Sequence, residues 1–393
     1  MLSLPSRPLA ALSTPGPLVL ALLYSLESLA RSLMATVIPL QAYQLLKDPA
    51  SVSALFAAVG LLGLAFSFAI PALIRWTARR HVYRIGGAAL ILAAALIASA
   101  TLLGQASGML ARLFAIACLN VTFNLYLTDL VARRGLSRAE PLRLAFSAGA
   151  WTIGPFLGVW MQGRWGIGAT AAASAACALF MLLYFTYLRL GERIPRVTQL
   201  PPVAPWPTIR RFLKQPRLKL GWVIPFGRSC WWSVLFTYGP IAMVAGGAGE
   251  AAGAALVSLS NALLFLSPLF GKIGALIGLR AAIAASFLCL GLTTMAAGFA
   301  PSPYAAMAML LVGSIFATQL DAVGNIPFLR AVRSTERAEM VTVFRTYIDL
   351  SDLIPVAIFT LLLRWLPVET VFLVTGAAMA AFALFARYVP RGM

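Results

Sequence analysis

The chain has 393 residues, of which 61% are hydrophobic and only 11% are charged. This small number of charged side chains cannot cover the surface of a soluble protein of this length. Most side chains must therefore contact lipid. The net charge of +19 would favour nucleic-acid binding if the cations formed one face. They lie instead in the loops between apolar segments, which argues against a nucleic-acid partner and for a membrane protein with some attraction to lipid headgroups.

Twelve apolar segments are long enough to cross a bilayer, because about 20 helical residues are needed for a hydrocarbon core of about 30 Å. We number them as spans one to twelve. They lie at residues 18–45, 52–74, 85–103, 109–131, 144–161 and 167–188, and then at 220–244, 252–270, 281–299, 304–325, 341–363 and 368–386.

The spans divide into two sets of six. A linker at residues 189–219 separates them and contains six prolines and eight Lys or Arg, a composition typical of an extended loop. The second part of this linker, from Thr208 to Lys214, has the pattern of a short amphipathic helix at the membrane surface. The sequence thus predicts an all-α membrane protein with a bundle at 1–188, a linker at 189–219 and a second bundle at 220–393.

The positions of the basic residues predict the orientation. Three cations lie within spans (Arg31, Arg112, Arg228), and the remainder alternate between loops in a strongly unequal way. With the amino terminus inside, 25 of the 31 Lys and Arg are cytoplasmic and only Lys47, Arg164 and Arg364 are external. Cytoplasmic loops are enriched in cations, so we expect a multi-pass protein of a bacterial-type cytoplasmic membrane with both termini inside.

Two loops support an internal duplication. Residues 134–140, after span four, and residues 333–339, after span ten, both read Arg-x-x-x-Arg-Ala-Glu. They are 199 residues apart, which is close to half of the chain. A matched loop at this offset is typical of transporters built from two related halves.

This organisation resembles the major facilitator superfamily, whose members have two six-helix bundles joined by a cytoplasmic loop. The loop after span two, residues 71–80, is similar to a signature of that family at Leu73 and at the closing Arg79 and Arg80. The family's usual Gly and Asp are absent from it. The resemblance implies a transporter that works by alternating access, as a monomer.

Span five contains Gly154-Pro155-Phe-Leu-Gly158, which looks like the core of the family's antiporter motif, with Val159 in place of the final glycine. Adjacent Gly and Pro remove a side chain and a backbone donor, so they predict a kink and a close helix contact. An ordinary packed helix is the alternative. The resemblance implies a role in gating and in proton-coupled exchange.

Ionisable side chains inside the membrane are expensive and are functional candidates by default. Glu27 and Arg31 are four residues apart in span one and share a helical face, and Arg228 lies in span seven, the counterpart of span one. A guanidinium suits a carboxylate or phosphate, so Arg31 and Arg228 are predicted to bind an anionic group. Structural pairing of these charges is the alternative. The other predicted substrate-binding residues are Trp231, Trp232 and Asn124.

Carboxylates also lie towards the cytoplasmic ends of spans four, ten and eleven. We expect Glu27 to couple transport to protons, with Asp349 and Asp352, on one face of span eleven, as competing candidates. The alternative for these aspartates is a gate that pairs with loop arginines such as Arg330, Arg333 or Arg345. The predicted gating residues are Asp129, Asp321, Gly154, Pro155, Arg333 and Arg337.

The pattern of reactive residues argues against an enzyme. The only histidine, His81, lies in a loop, and the four cysteines are scattered singly, so neither a metal centre nor a catalytic constellation nor a cofactor site is predicted. We expect proton-coupled export of a small anionic or amphipathic organic solute. A broad drug/proton antiporter, a lipid flippase and a transition-metal exporter are the alternatives.

Overall fold

Apolar segments in lipid form helices because no water is present to satisfy the peptide groups. The computed structural model describes residues 17–130, 133–188, 205–332 and 336–389, and every regular element in those ranges is helical. The linker residues 189–204 lie outside the described residues, as does the loop at 333–335.

Span one of the first half is divided by a turn at residues 34–36, and spans two to six are single helices. The helices are α1 (Pro17–Leu33) and α2 (Val37–Leu46) in span one, then α3 (Pro49–Thr77), α4 (Arg79–Ala98), α5 (Leu102–Leu130), α6 (Arg133–Trp165) and α7 (Ile167–Tyr187).

The second half begins with a short helix that precedes span seven, and four of its spans are composed of two segments. The helices are α8 (Pro205–Leu213), α9 (Pro216–Ala245), α10 (Glu250–Ala262), α11 (Ser267–Ile277), α12 (Leu279–Gly298), α13 (Pro303–Val323), α14 (Ile326–Ala331), α15 (Arg337–Phe344), α16 (Thr346–Leu362) and α17 (Thr370–Phe382). Turns of 3-10 helix connect α10 to α11 at Leu263–Leu266 and follow α17 at Ala383–Tyr388.

Among the described residues, ten helical stretches are long and apolar enough to cross a membrane. They correspond to all predicted spans except seven and eleven. Span seven is α9, which has 30 residues but contains Arg228 and two internal prolines, and span eleven contains α16, which has only 17 residues. The predicted all-α membrane fold of twelve transmembrane helices is confirmed, and α8 forms where the amphipathic pattern predicted a helix.

Glycines bring α1 and α6 into direct contact. A Cβ on Gly154 would overlap Ser32, and a Cβ on Gly158 would overlap the carbonyl oxygen of Leu33. Small residues four apart let two helix backbones approach closely, so the close contact predicted for span five is confirmed. The second half uses the same device, because Gly291 of α12 and Gly376 of α17 meet with no room for a side chain.

The two halves are joined by hydrogen bonds at the end of the molecule remote from α8. The hydroxyl groups of Ser53, near the start of α3, and Tyr238, near the end of α9, are 2.7 Å apart. Gln44 donates to Glu250 at the same end, and further inside the backbone N–H of Phe156 donates to the Ser258 hydroxyl at 3.0 Å. We call this region, defined by these three contacts, the closed end.

Candidate substrate and proton site

Glu27 and Arg31 form an ion pair within α1. Their side chains are one helical turn apart, with Oε1 of Glu27 3.1 Å from Nη1 of Arg31. Glu27 is completely buried, whereas the Arg31 side chain is 16% exposed. The second carboxylate oxygen of Glu27 is also buried and accepts no hydrogen bond from the described residues. The guanidinium of Arg31 is therefore partly accessible, whereas the carboxylate of Glu27 beside it is shielded from water.

Arg112 of α5 supports the same site from a neighbouring helix. Its Nη2 donates to the backbone carbonyl oxygen of Arg31 at 2.9 Å. This carbonyl lies in the last turn of α1, where backbone acceptors have no helical partner, so the break in span one leaves it available. The sequence located Arg112 inside a span, but the spacing of residues could not show that it reaches α1.

Arg143 is a further residue that sequence reasoning missed. The predicted span five began at residue 144, which left Arg143 in a loop, but α6 begins at Arg133. Its guanidinium carbon lies 4.4 Å from the ring centroid of Tyr24, and its charge acts on Glu27. A cation over an aromatic ring is stabilised by the ring's negative face.

Arg228 and Asp321 form the corresponding ion pair of the second half. Nη1 of Arg228 lies 3.1 Å from Oδ1 of Asp321, and the pair joins α9 to α13. The indole of Trp232 donates to the other carboxylate oxygen at 2.9 Å, and Arg228 also lies 3.4 Å from the Tyr347 hydroxyl. Asp321 thus has Arg228 as its partner in this conformation, and its gating role remains a prediction.

The two tryptophans after Arg228 have different surroundings. Trp231 is 1% exposed and donates to the Thr294 hydroxyl at 2.8 Å, so in this conformation it belongs to the core of the second half, and its substrate-binding role remains a prediction. Trp232 is half-buried and stacks on Phe236 with centroids 5.8 Å apart. Phe236 in turn contacts Trp151 of the first half, at 5.5 Å between centroids.

Asp352 of α16 carries the carboxylate that faces the first half. Its side chain is exposed, and it lies close enough to Ser233, Asp349 and Arg31 to interact with each of them. Asp349 is half-buried one turn earlier. Asn124, on α5, is half-buried and donates to the carbonyl oxygen of Asn120 at 2.8 Å.

The remaining predicted site residues do not have described side chains. Arg333 lies outside the described residues. Asp129 and Arg337 belong to α5 and α15, and only their backbones are described. Their predicted gating roles remain predictions.

The charged side chains at the two sites are opposite in sign. In the first half, Arg31, Arg112, Arg143 and Glu27 sum to +2. In the second half, Arg228, Asp321, Asp349 and Asp352 sum to −2. Within the part of the chain that the structure describes, no group of three His, Cys, Asp or Glu is arranged to hold a metal ion.

The solved structures with which this chain superposes include those of several transporters. A POT family transporter in complex with a thioalcohol-conjugated peptide superposes with a TM-score of 0.74 at 13% identity, covering 93% of this chain and 94% of that one. A POT family transporter in complex with 5-aminolevulinic acid gives 0.74 at 12% identity, with the same coverage. The nucleoside transporter NupG gives 0.72 at 14% identity, covering 95% of this chain and 98% of that one.

No protein-family model matches the sequence, and no curated protein sequence matches it either. The solved structures belong to transporters of the major facilitator superfamily. The chain therefore has the fold of that superfamily, and the resemblance inferred from its sequence motifs is confirmed at the level of the fold.

Proposed function

We propose that the protein is a secondary transporter that moves a small organic solute across the cytoplasmic membrane by alternating access, coupled to protons. The observation that carries this proposal is the opposite sign of the mid-membrane charge in the two halves. A solute that lies between them is attracted by its anionic group to Arg31 and Arg112 and by a cationic group to Asp352. The substrate we propose is therefore a small dipolar molecule with a carboxylate or phosphate and an amine.

Arg31 is the better anion ligand of the two predicted arginines. Arg228 is 8% exposed and is held by Asp321, so little of its guanidinium is open to an arriving anion. Arg31 is also paired, with Glu27, but its side chain is 16% exposed. Arg112 beside it donates to a carbonyl oxygen and not to a carboxylate, so its positive charge remains available to an anion.

The similar solved structures are consistent with a dipolar substrate. Two of them are complexes with a conjugated peptide and with 5-aminolevulinic acid, and the second of these molecules carries an amine and a carboxylate. A third is a nucleoside transporter, so the fold itself does not determine the substrate. The charges of this chain's own residues are what favour a dipolar solute.

Proton coupling is assigned to Glu27. When a substrate anion binds Arg31, it competes with Glu27 for the same guanidinium, and a completely buried carboxylate without its partner favours the protonated form. Substrate and proton thereby bind together on one helix, so this pair by itself moves both in the same direction. The antiporter-type segment of α6, which packs directly on α1 through Gly154 and Gly158, favours exchange in the export direction instead, and transport measurements decide between the two.

A matched series of ligands tests the substrate class. The purified protein is heated with 5-aminolevulinic acid, with levulinic acid, which lacks the amine, and with the methyl ester, which lacks the carboxylate. A ligand that binds the native state raises the unfolding temperature by mass action, so we expect the dipolar compound to give the largest rise. An equal rise with levulinic acid would indicate a simple anion, and a rise only with cationic or amphipathic compounds would favour the drug antiporter.

The same screen covers the remaining alternatives. Lysolipids that stabilise the protein more than any water-soluble solute would favour a flippase, and stabilisation by divalent transition metals would favour a metal exporter. Proteoliposomes loaded with the best ligand then establish the direction. In an imposed pH gradient, accumulation of the ligand on the acidic side indicates exchange for protons, and accumulation on the alkaline side indicates movement together with protons and would overturn the proposed exchange.

The coupling residue is tested separately. In proteoliposomes, Glu27→Gln should retain exchange of substrate across the membrane but lose transport driven by a pH gradient. Asp349→Asn is the matched control, because it also removes one carboxylate and does not remove the proposed ligand of the substrate's amine. If Glu27→Gln still concentrates substrate and Asp349→Asn does not, or if Asp352→Asn retains exchange but loses accumulation, coupling belongs to span eleven.

A further inference from the structure

The short helix α8 presents two different faces. Thr208 and Phe212 are each only 2% exposed. The Phe212 ring stacks near Phe328 of α14, with centroids 6.5 Å apart, and joins a cluster that includes Leu218 and Met340. This inner face fixes α8 to the second half, so its outer face has a defined orientation and does not need a partner to become ordered.

The outer face combines apolar and cationic side chains. Trp206 is 73% exposed and Leu213 is 55% exposed. The exposed cations that follow Trp206 are Arg210, Arg211, Lys214, Arg217 and Lys219. No Asp or Glu occurs between residues 193 and 249, so this face has no acidic residue of its own segment to neutralise it.

We infer that this outer face of α8 and the start of α9 bind the headgroups of anionic phospholipids. Tryptophan prefers the boundary between headgroups and hydrocarbon, while Lys and Arg there attract anionic lipid. A short helix with Trp and Leu beside several cations has the composition of an interfacial segment. An acidic protein or a nucleic acid would account for the cations but would leave Trp206 and Leu213 in water.

The position of α8 agrees with a lipid surface. It ends at Leu213, and α9 begins at Pro216, so α8 lies at the membrane boundary of span seven. Leu329, exposed on the neighbouring α14, adds another apolar side chain at the same end of the molecule. Lipid bound here would hold the start of α9, the helix that carries Arg228.

The test compares nanodiscs of phosphatidylcholine alone with nanodiscs that contain phosphatidylglycerol. We expect phosphatidylglycerol to raise the unfolding temperature of the wild type, and Arg210→Gln/Lys214→Gln/Arg217→Gln to lose most of that rise. The control is Lys47→Gln/Arg164→Gln/Arg364→Gln, which removes three cations from the opposite end of the molecule and should retain it. An equal rise in both variants would overturn the proposal.

A second measurement does not depend on stability. Phosphatidylglycerol with brominated acyl chains should quench the part of the tryptophan fluorescence that is present in the wild type and absent from Trp206→Phe. Brominated phosphatidylcholine should quench it less. Equal quenching by the two lipids would show that the surface does not select anionic lipid. A change in Trp206 fluorescence on addition of inorganic phosphate or RNA, without quenching by the brominated lipid, would also contradict the assignment.

Discussion

The two halves of the molecule hold their mid-membrane arginines in different ways. In the first half, Glu27 and Arg31 belong to one helix, and the carboxylate is completely buried. In the second half, Arg228 and Asp321 belong to different helices, and the Asp321 side chain is 25% exposed. The first pair therefore persists whenever α1 is helical, whereas the second persists only while α9 and α13 keep their present packing.

The two ion pairs therefore respond to different events: the first pair responds to a bound ligand, and the second pair responds to movement of its helices. A buried pair within a helix is insensitive to the motion of other helices, but its partner cation can be drawn away by a ligand. An interhelical pair is broken by any movement that separates its helices, and breaking it is costly when the charges are shielded from water. Four tests can break or sharpen this comparison.

The largest difference is expected from removing one arginine of each pair. Arg31→Ala leaves a completely buried carboxylate without a partner, so we expect a loss of about 3–5 kcal/mol in stability. Arg228→Ala leaves a partly exposed carboxylate that still accepts from Trp232, so about 2 kcal/mol is expected. Thermal unfolding in detergent measures both.

Neutralising the second partner provides the control. Arg31→Ala/Glu27→Gln and Arg228→Ala/Asp321→Asn should each recover a large part of the lost stability while leaving transport absent. If Arg228→Ala is the more damaging of the two single variants, the comparison between the halves is wrong. Arg228→Lys should fold well but transport poorly, because an ammonium cannot reach Asp321 and Tyr347 together.

The next effect concerns the helix contact beneath the first pair. Gly158→Ala places a methyl group against the Leu33 carbonyl, and overpacking of this kind costs about 1–3 kcal/mol. Gly163→Ala, five residues further along α6, meets open space and should change stability little. Similar stabilities of these two variants in thermal unfolding would show that α1 can move away from α6 at little cost.

A smaller effect is expected at the closed end. Tyr238→Phe removes one partner of the hydrogen bond to Ser53, which should cost about 1 kcal/mol and favour conformations in which the halves separate there. A double-mutant cycle with Ser53→Ala isolates the pair. Accessibility of a cysteine introduced at Ala50, which is 8% exposed and packs in the same cluster as Tyr238, should rise in Tyr238→Phe. Unchanged labelling would mean that this bond does not hold the halves together.

The smallest effect is expected at Asp48, which caps α3. Its carboxylate accepts from the Ser51 hydroxyl at 2.7 Å and from the Ser51 backbone N–H at 2.8 Å, and these hydrogen bonds hold the pKa of Asp48 below its usual 3.8. A lowered pKa means that the contribution is present above about pH 4 and is lost as pH falls through the folded-state pKa. Asp48→Ala should cost about 1 kcal/mol at neutral pH.

Asp48→Asn retains a side-chain acceptor without a titrating charge. Its unfolding temperature should therefore depend less on pH than that of the wild type in the acid range. The cap of α13 by Ser302, which accepts from Ala305 at 3.2 Å, offers a neutral comparison in the second half. A Ser302→Ala variant should lose stability without any change in pH dependence.

The sequence predicted features that depend on neighbours along the chain. The spans follow from apolar length, and the Glu27–Arg31 pair follows from a spacing of four residues. The sequence did not predict the partner of Asp321 or the contact of Arg112 with α1, because both join helices that are far apart in the chain. It also placed Trp231 and Trp232 together, although successive residues on a helix point about 100° apart and only Trp232 reaches Asp321.

The break between α1 and α2 divides span one according to the neighbours of its two segments. The segment that carries Glu27 and Arg31 packs on α6 through Gly154 and Gly158, whereas the later segment reaches the second half through Gln44 and Glu250. The turn at residues 34–36 lies one helical turn beyond Arg31. Because the helix is interrupted there, α2 can move with the opposite half while α1 keeps Glu27 and Arg31 in place against α6.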